Sequence, residues 1–196
     1  MRGLFAFLSR AEPRAAPGAR AGAIFVFAGS HARKEFGAAA WRRGEAPVLV
    51  VSVGRFEWRR YAGLGLPGDD ALRAAVQQVP PRERHFFVIL EGGRAEALPV
   101  PVRRFGTRNE ARALARLARD RGWNAVTVIS SGFHLRRVAL VVGRALRRSG
   151  IQAAYAALPD SLDPHGAARW WRTPRGARNV LSEVVKLGVY RVLLKP

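Results

Sequence analysis

The sequence predicts an α/β fold: a three-layer sandwich with a mostly parallel central sheet and an added β-hairpin. Three observations carry that expectation. Short, continuous apolar runs recur at 23–28 (AIFVFA), 47–54 (PVLVVSVG) and 125–130 (AVTVIS), as in strands buried on both faces. Amphipathic stretches of helical period lie between them, so strands alternate with helices. Finally, EGGR interrupts the apolar segment 85–105 with two adjacent glycines, the turn chemistry that joins neighbouring antiparallel strands. At 196 residues and 48% hydrophobic content, the chain is sized for one well-buried domain.

Taken in order, the opening MRGLFAFLSR has one early arginine and an apolar stretch too short for a convincing signal peptide. It reads as a frayed terminus or a surface-lying segment. RAEPRAAPGARAG (10–22) has no apolar period and reads as a loop, so 1–22 form an N-terminal arm and 23–196 a single domain. After the first strand, 29–44 form a loop and a helix ending at Gly44. Residues 55–68 are aromatic, basic and glycine-rich, a long loop after the second strand. Residues 69–79 form a helix opened by two aspartates and stopped by Pro80 and Pro81. The clearest helix is 107–122, with Ala111, Leu114, Ala115 and Ala118 on one face, a Thr107/Glu110 capping box and Gly122 at its end. Leu135, Val138, Ala139, Val142 and Leu146 stripe the next helix, which ends at Gly150. A last strand (152–158), a polar loop with Trp170 and Trp171, and a helix from about Pro174 to Tyr190 complete the chain. No internal repeat or interdomain linker is evident.

Composition narrows function. Cysteine is absent, which excludes disulfides, a thiolate nucleophile and a thiolate metal site. No segment holds the ~18 consecutive apolar residues of a membrane span, so the expected location is cytoplasmic, with peripheral membrane association as an option. The formal net charge is +20, and lysine occurs only at 34, 186 and 195, leaving arginine to supply the rest of the 34 basic residues. Arginine's planar fork donates paired hydrogen bonds to phosphate, so acidic partners are expected. The other reading is compositional bias spread over a solvated surface.

In open α/β sheets, ligands gather where strands end and helices begin. Three such junctions are GSHARK (29–34), GTRNEA (106–111) and SSGFHLRR (130–137). Each combines a small or hydroxyl residue with a first-turn cation. Such cations oppose the helix dipole unless an anion binds to the free N–H groups there. Gly29, Ser30, His31, Arg33, Gly54, Thr107, Arg108, Asn109, Ser130, Ser131 and Arg137 are therefore the candidate ligand-binding residues. The alternative is that the hydroxyls are ordinary caps, each worth ~1 kcal/mol with no ligand.

The order VFAGSHAR, VVSVG, FGTRNEA and SSGFHLRR, closed by NVLSEVVKLGVYRV with Glu183 and Tyr190, resembles the domain-of-unknown-function 218 (DUF218) family, which includes YdcF-, SanA- and ElyC-like proteins. Thr107, Asn109, Glu110 and Ala111, then Ser130, Ser131, His134 and Arg137, carry the best-matched motifs. The resemblance spans roughly 23–194. It implies a Rossmann-like domain that binds nucleotide-like ligands and is linked in some relatives to the cell envelope and lipid-carrier metabolism.

His134 is the first acid–base candidate, because an imidazole titrates near neutrality and neighbouring cations favour its neutral form. Glu110 is the second, as a general base or a ribose-hydroxyl acceptor, unless it only closes the capping box. Asp160, Asp163 and His165 share a loop but meet no recognised ligand spacing, so no metal is assigned; no cofactor is named either. Phe56, Trp58 and Tyr61, interleaved with Arg55, Arg59 and Arg60, suit either a stacking surface or packing under the sheet edge. The reading reached is a protein that grips a phosphate-bearing small molecule, nucleotide or lipid-carrier headgroup and hydrolyses or transfers a phosphoryl or glycosyl-phosphate group. The alternatives are a non-catalytic envelope factor on an anionic membrane surface and, less favoured because the arginines do not cluster in one segment, a nucleic-acid binder.

Overall fold

The computed structural model describes residues 2–9, 20–101, 106–163, 165–166 and 169–193. Most of the basic lead-in (10–19) and the final residues 194–196 lie outside them. Six strands form one sheet: β1 (Ala23–Val26), β2 (Val48–Val53), β3 (Phe86–Glu91), β4 (Arg94–Pro99), β5 (Ala125–Ser130) and β6 (Gln152–Ala157), in the order β4-β3-β2-β1-β5-β6. β2, β1, β5 and β6 run parallel, while β3 pairs antiparallel with both β2 and β4. The expected α/β sandwich with a mostly parallel, Rossmann-like sheet is thus present.

So is the added hairpin. Glu91 pairs with Arg94, which leaves Gly92 and Gly93 as a two-residue turn with φ of 54° and 78°. Both positions are left-handed, so only glycine meets this turn without strain. β4 forms the sheet edge, with charged Arg94 and Glu96 along it, a common guard against edge-to-edge pairing.

Alternation along the strands builds two cores. Ile24, Val26, Leu49, Val51 and Val88 face α2 (His31–Arg42) and α3 (Asp69–Gln78). Phe25, Phe27, Val50, Phe87 and Val128 face α4 (Gly106–Asp120) and α5 (Gly132–Arg147). The same alternation puts Ser52 and Ser130 on the α4/α5 face, where each replaces an apolar side chain near a strand's carboxyl end. Helix α6 (Pro174–Leu193) packs on α5.

The N-terminal segment departs from the frayed terminus expected of it. Arg2–Ser9 form α1, which lies on α5 and α6 with Phe5 and Leu8 buried against Phe133, Trp170, Val180 and Leu187. Two aromatic or aliphatic anchors one turn apart suffice to dock an eight-residue helix too short to be stable alone. Trp170 thereby serves the core. Among the described residues, no helix is long and apolar enough to cross a membrane.

Candidate functional site

The strand order makes one place special. The chain leaves β1 for β2 on one side, and β5 later adds on β1's other side. The helices that follow β1 and β5 therefore cover opposite faces, opening a crevice at the strands' carboxyl ends. All three predicted junctions meet there. Arg33 of α2 donates through one terminal nitrogen to Ala28 O at 2.7 Å and through the other to Ser131 Oγ at 2.7 Å. Arg137 of α5 donates to Thr107 Oγ1 of α4. Glu110 of α4 accepts from the Ala28 N–H at 3.4 Å. Gly29 opens the turn with φ of 141°, and a β-carbon there would lie 3.0 Å from the Arg33 guanidinium. The positive φ favours glycine, and a β-carbon would also press on the guanidinium.

Two of the helix starts are uncapped by their own side chains. Ser30 and Ser131 precede α2 and α5 in extended backbone, the geometry of a cap, yet neither hydroxyl bonds the helix behind it. Ser131 is taken by Arg33, while Ser30 Oγ, Ser130 Oγ and Arg33 Nε are buried with no hydrogen-bond partner among the described residues. A buried polar atom left alone costs roughly 1–3 kcal/mol, so three at one crevice mark a place suited to a polar guest. Burial pushes the Arg33 and Lys34 pKa values down, opposed for Arg33 by Asp163, Glu57 and Glu110 and for Lys34 mainly by Glu57, its ion-pair partner.

A second cluster joins α4, α5 and α6. Glu183, 1% exposed, accepts from Arg137 Nε at 2.6 Å and from Lys186 Nζ at 2.9 Å. His134 Nδ1 is 2.9 Å from both Glu183 Oε2 and Arg137 Nη2. A ring nitrogen carries one proton or one lone pair, so it serves one of these partners at a time, and that choice sets which nitrogen is basic. Burial pushes the imidazole pKa down to about 4 against the pull of Glu183, with Arg33 and Arg137 adding to the drop. The neutral ring expected from its cationic neighbours is therefore due first to desolvation. Burial would raise the Glu183 pKa, but His134 and Arg137 hold it below the usual carboxylate range.

The third cluster is one the sequence reading did not assemble. Ser52 Oγ donates to Glu110 Oε1 at 2.6 Å and sits 2.9 Å from His85 Nε2, which is itself 3.4 Å from that carboxylate. With the hydroxyl proton given to Glu110, Ser52 can only accept from His85. Burial opposes ionisation of Glu110, but His85, Ser52 and the Ala28 N–H outweigh it and lower its pKa. The expected capping box is absent for this reason: α4 already begins at Gly106, Thr107 receives Arg137, and Glu110 reaches across to β2.

Beside the crevice lies a cavity of about 280 Å³ bounded by Gly29, Ser30, His31 and Lys34, by Phe56, Glu57, Arg60 and Tyr61 after β2, and by Arg175 at the start of α6. Gly54 ends β2 beneath it, where a β-carbon would come within 2.9 Å of Glu57 Oε1. In the loop after β2, Phe56 and Tyr61 line the cavity, while Trp58 packs against the core beneath Arg59 and Arg84. Some predicted residues lie elsewhere. Asn109 is half-buried on the first turn of α4, and Arg108 lines a groove between α4 and α5. Arg136, the neighbour of the predicted Arg137, turns away to stack on Phe7 of α1. Among the described residues, no group of three or more His, Cys, Asp or Glu could hold a metal ion.

The residues missed were Ser52, His85, Glu57 and Glu183 in its role as partner. Glu183 had a readable signal: Val180, Leu187 and Tyr190 share its helical face and are buried, so a carboxylate among them must have a cation. Ser52 was the lone hydroxyl of an apolar run. Nothing local linked His85 or Glu57 to the site. No family model, curated protein or solved structure matches the chain.

Proposed function

We propose that the crevice and its cavity bind a phosphate-bearing small molecule, with the phosphoryl group at the starts of α2 and α5. The supporting observation is the pair of helix N-termini whose serines leave the first N–H groups uncapped, with Arg33 buried between them. Such termini favour anions, and the exposed Arg60 and Arg175 add donors at the cavity mouth. A cavity of about 280 Å³ is near the small end of ligand sites, which suits a sugar phosphate or the phosphate portion of a nucleotide or lipid-carrier headgroup. The motif order resembling the domain-of-unknown-function 218 family points the same way and adds a place in cell-envelope metabolism.

His134 is the acid–base group of this reading. With Nδ1–H donated to Glu183, Nε2 carries the lone pair and can take a proton from water or an acceptor hydroxyl during phosphoryl or glycosyl-phosphate transfer. Glu110 positions: through Ser52 and the Ala28 N–H it fixes the end of β2 against the β1–α2 turn.

Calorimetric titration with inorganic phosphate, adenosine monophosphate and a hexose phosphate tests the binding step. At least one should bind. Replacing Arg60 and Arg175 together by alanine should weaken it tenfold or more, each charge-assisted bond being worth about 1.5–3 kcal/mol, with the melting temperature unchanged. His134→Gln should retain binding and lower turnover by roughly a hundredfold. Failure of all three compounds to bind at millimolar concentration would refute the reading.

A further inference from the structure

The arginines that seemed scattered along the chain converge once it folds. Arg108, Arg112, Arg116 and Arg119 of α4, Arg144 of α5 and Arg148 just past its end line a groove of about 390 Å³ between the two helices. Its lining includes the small side chains Ala115 and Ala145 and, among the described residues, no carboxylate. Steps of four residues along α4 space the guanidinium groups roughly 6 Å apart along its axis. Like charges one turn apart destabilise a helix. Among the described residues, Arg108, Arg112, Arg116, Arg119 and Arg148 form no ion pair. Arg121, by contrast, just beyond this row on α4, is held by Glu91 and Glu96. The groove is therefore a concentrated positive field, in which five of the six lining arginines form no ion pair among the described residues.

We infer that this groove binds the sugar–phosphate backbone of a nucleic-acid strand, independently of base sequence. Guanidinium forks match phosphate oxygens, and their regular spacing along α4 suits successive phosphates. Among the described residues lining the groove there is no aromatic side chain on which a base could stack, so the proposed contact is with the backbone. A membrane surface fits less well. Docking on lipid combines cations with apolar side chains that enter the acyl boundary. The exposed large hydrophobic residues (Phe7, Phe56, Leu162, Leu181, Val184 and others on α6) include none on α4 or α5. The groove is also separate from the small-ligand cavity: the residues lining the one do not line the other.

Fluorescence anisotropy with labelled 20-nucleotide DNA and RNA, single-stranded and duplex, over a range of salt concentrations tests this. The full chain is compared with Arg112→Glu/Arg116→Glu/Arg148→Glu and with a charge-matched control, Arg82→Glu/Arg172→Glu/Arg178→Glu, at exposed sites off the groove. Circular dichroism establishes that both variants fold. The wild type should bind at micromolar concentration or tighter in about 150 mM salt. The groove variant should lose at least thirtyfold, and its log–log salt slope on single strands should be shallower by about 2, from three lost phosphate contacts. The control should lose less than threefold. Binding of adenosine monophosphate should be the same in all three proteins, which separates this groove from the small-ligand site. No nucleic-acid binding, equal losses in both variants, or groove-dependent binding to phosphatidylserine vesicles without nucleic-acid binding would each overturn the proposal.

Discussion

Removing the Arg137 guanidinium measures what the buried charge cluster contributes. The dipole of α5 alone predicts a small gain, because a first-turn cation is deleted; that effect is about 0.3–1 kcal/mol. The contacts predict the opposite. Arg137 gives Nε–H to Glu183 at 2.6 Å, donates to Thr107, and lies with its guanidinium 5.6 Å from the Tyr190 ring. Glu183 is 1% exposed, so its carboxylate has no recourse to water. Breaking a buried pair from one side costs about 3–5 kcal/mol. Lys186 still reaches the other carboxylate oxygen at 2.9 Å, which recovers part of that. Arg137→Ala should therefore destabilise by about 2–4 kcal/mol after the dipole term is subtracted. Urea unfolding at pH 7.5 reads this as a lower midpoint at constant m-value. Arg137→Met combined with Glu183→Leu removes both charges and fills much of the space, so the double variant should lie within about 1.5 kcal/mol of wild type. A cycle built on Arg137→Met, Glu183→Leu and the pair should then show a coupling of about 2 kcal/mol. Additive single effects, or a loss below about 0.5 kcal/mol for Arg137→Ala, would show that the cluster contributes little to stability.

Three further outcomes follow from the structure. His134 has its pKa lowered to about 4 in the fold, so the unfolded chain takes up its proton first as pH falls. Stability should decline from about pH 6.5 toward pH 4, by about 2–3 kcal/mol. His134→Gln should flatten that part of the profile in urea titrations at stepped pH, and an unchanged slope would refute the assignment. Below the usual carboxylate range, Glu183 and Glu110, both held lower than normal, should add a further acid loss in both proteins. Gly37 lies in the middle of α2, where a β-carbon would overlap Val26 Cγ2 of β1. Gly37→Ala should cost about 1–3 kcal/mol, although alanine is the better helix former. A variant that melts at or above the wild-type temperature would show that α2 can move off the sheet.

The fold was legible because it rests on local patterns. The continuous apolar runs became β1, β2 and β5, and the paired glycines of EGGR became the hairpin turn. The N-terminal helix was not legible, since Phe5 and Leu8 acquire meaning only against Phe133 and Trp170. Within the site, the junctions were readable because hydroxyls and cations at helix starts are a local signature. Their partners were not. Glu110 meets Ser52 across 58 residues and Arg137 meets Glu183 across 46. A T-x-x-E pattern predicts a local cap, and tertiary burial overrode it because His85 and Ser52 supply stronger compensation for a buried carboxylate than a helix N–H does.

The same logic accounts for how a chain of net charge +20 sorts its cations into two kinds. Inside the crevice, Lys34 and Arg137 each have a carboxylate partner, Glu57 or Glu183, and Arg33 has the carbonyl and hydroxyl oxygens of Phe27, Ala28 and Ser131. Desolvation forces that arrangement, because a buried cation without oxygen partners costs more than a domain's whole stability margin. Cations held by such partners are restrained and keep the helix starts at fixed spacing, while Arg33 Nε has no hydrogen-bond partner among the described residues. On the α4–α5 face Arg112, Arg116, Arg119 and Arg148 are exposed, where solvent and salt screen their repulsion. In the functions proposed above, one set is preorganised for a small anion and the other is a diffuse field that follows a long one. The two should therefore differ in salt response: small-anion binding in the crevice should depend weakly on ionic strength and strand binding in the groove steeply.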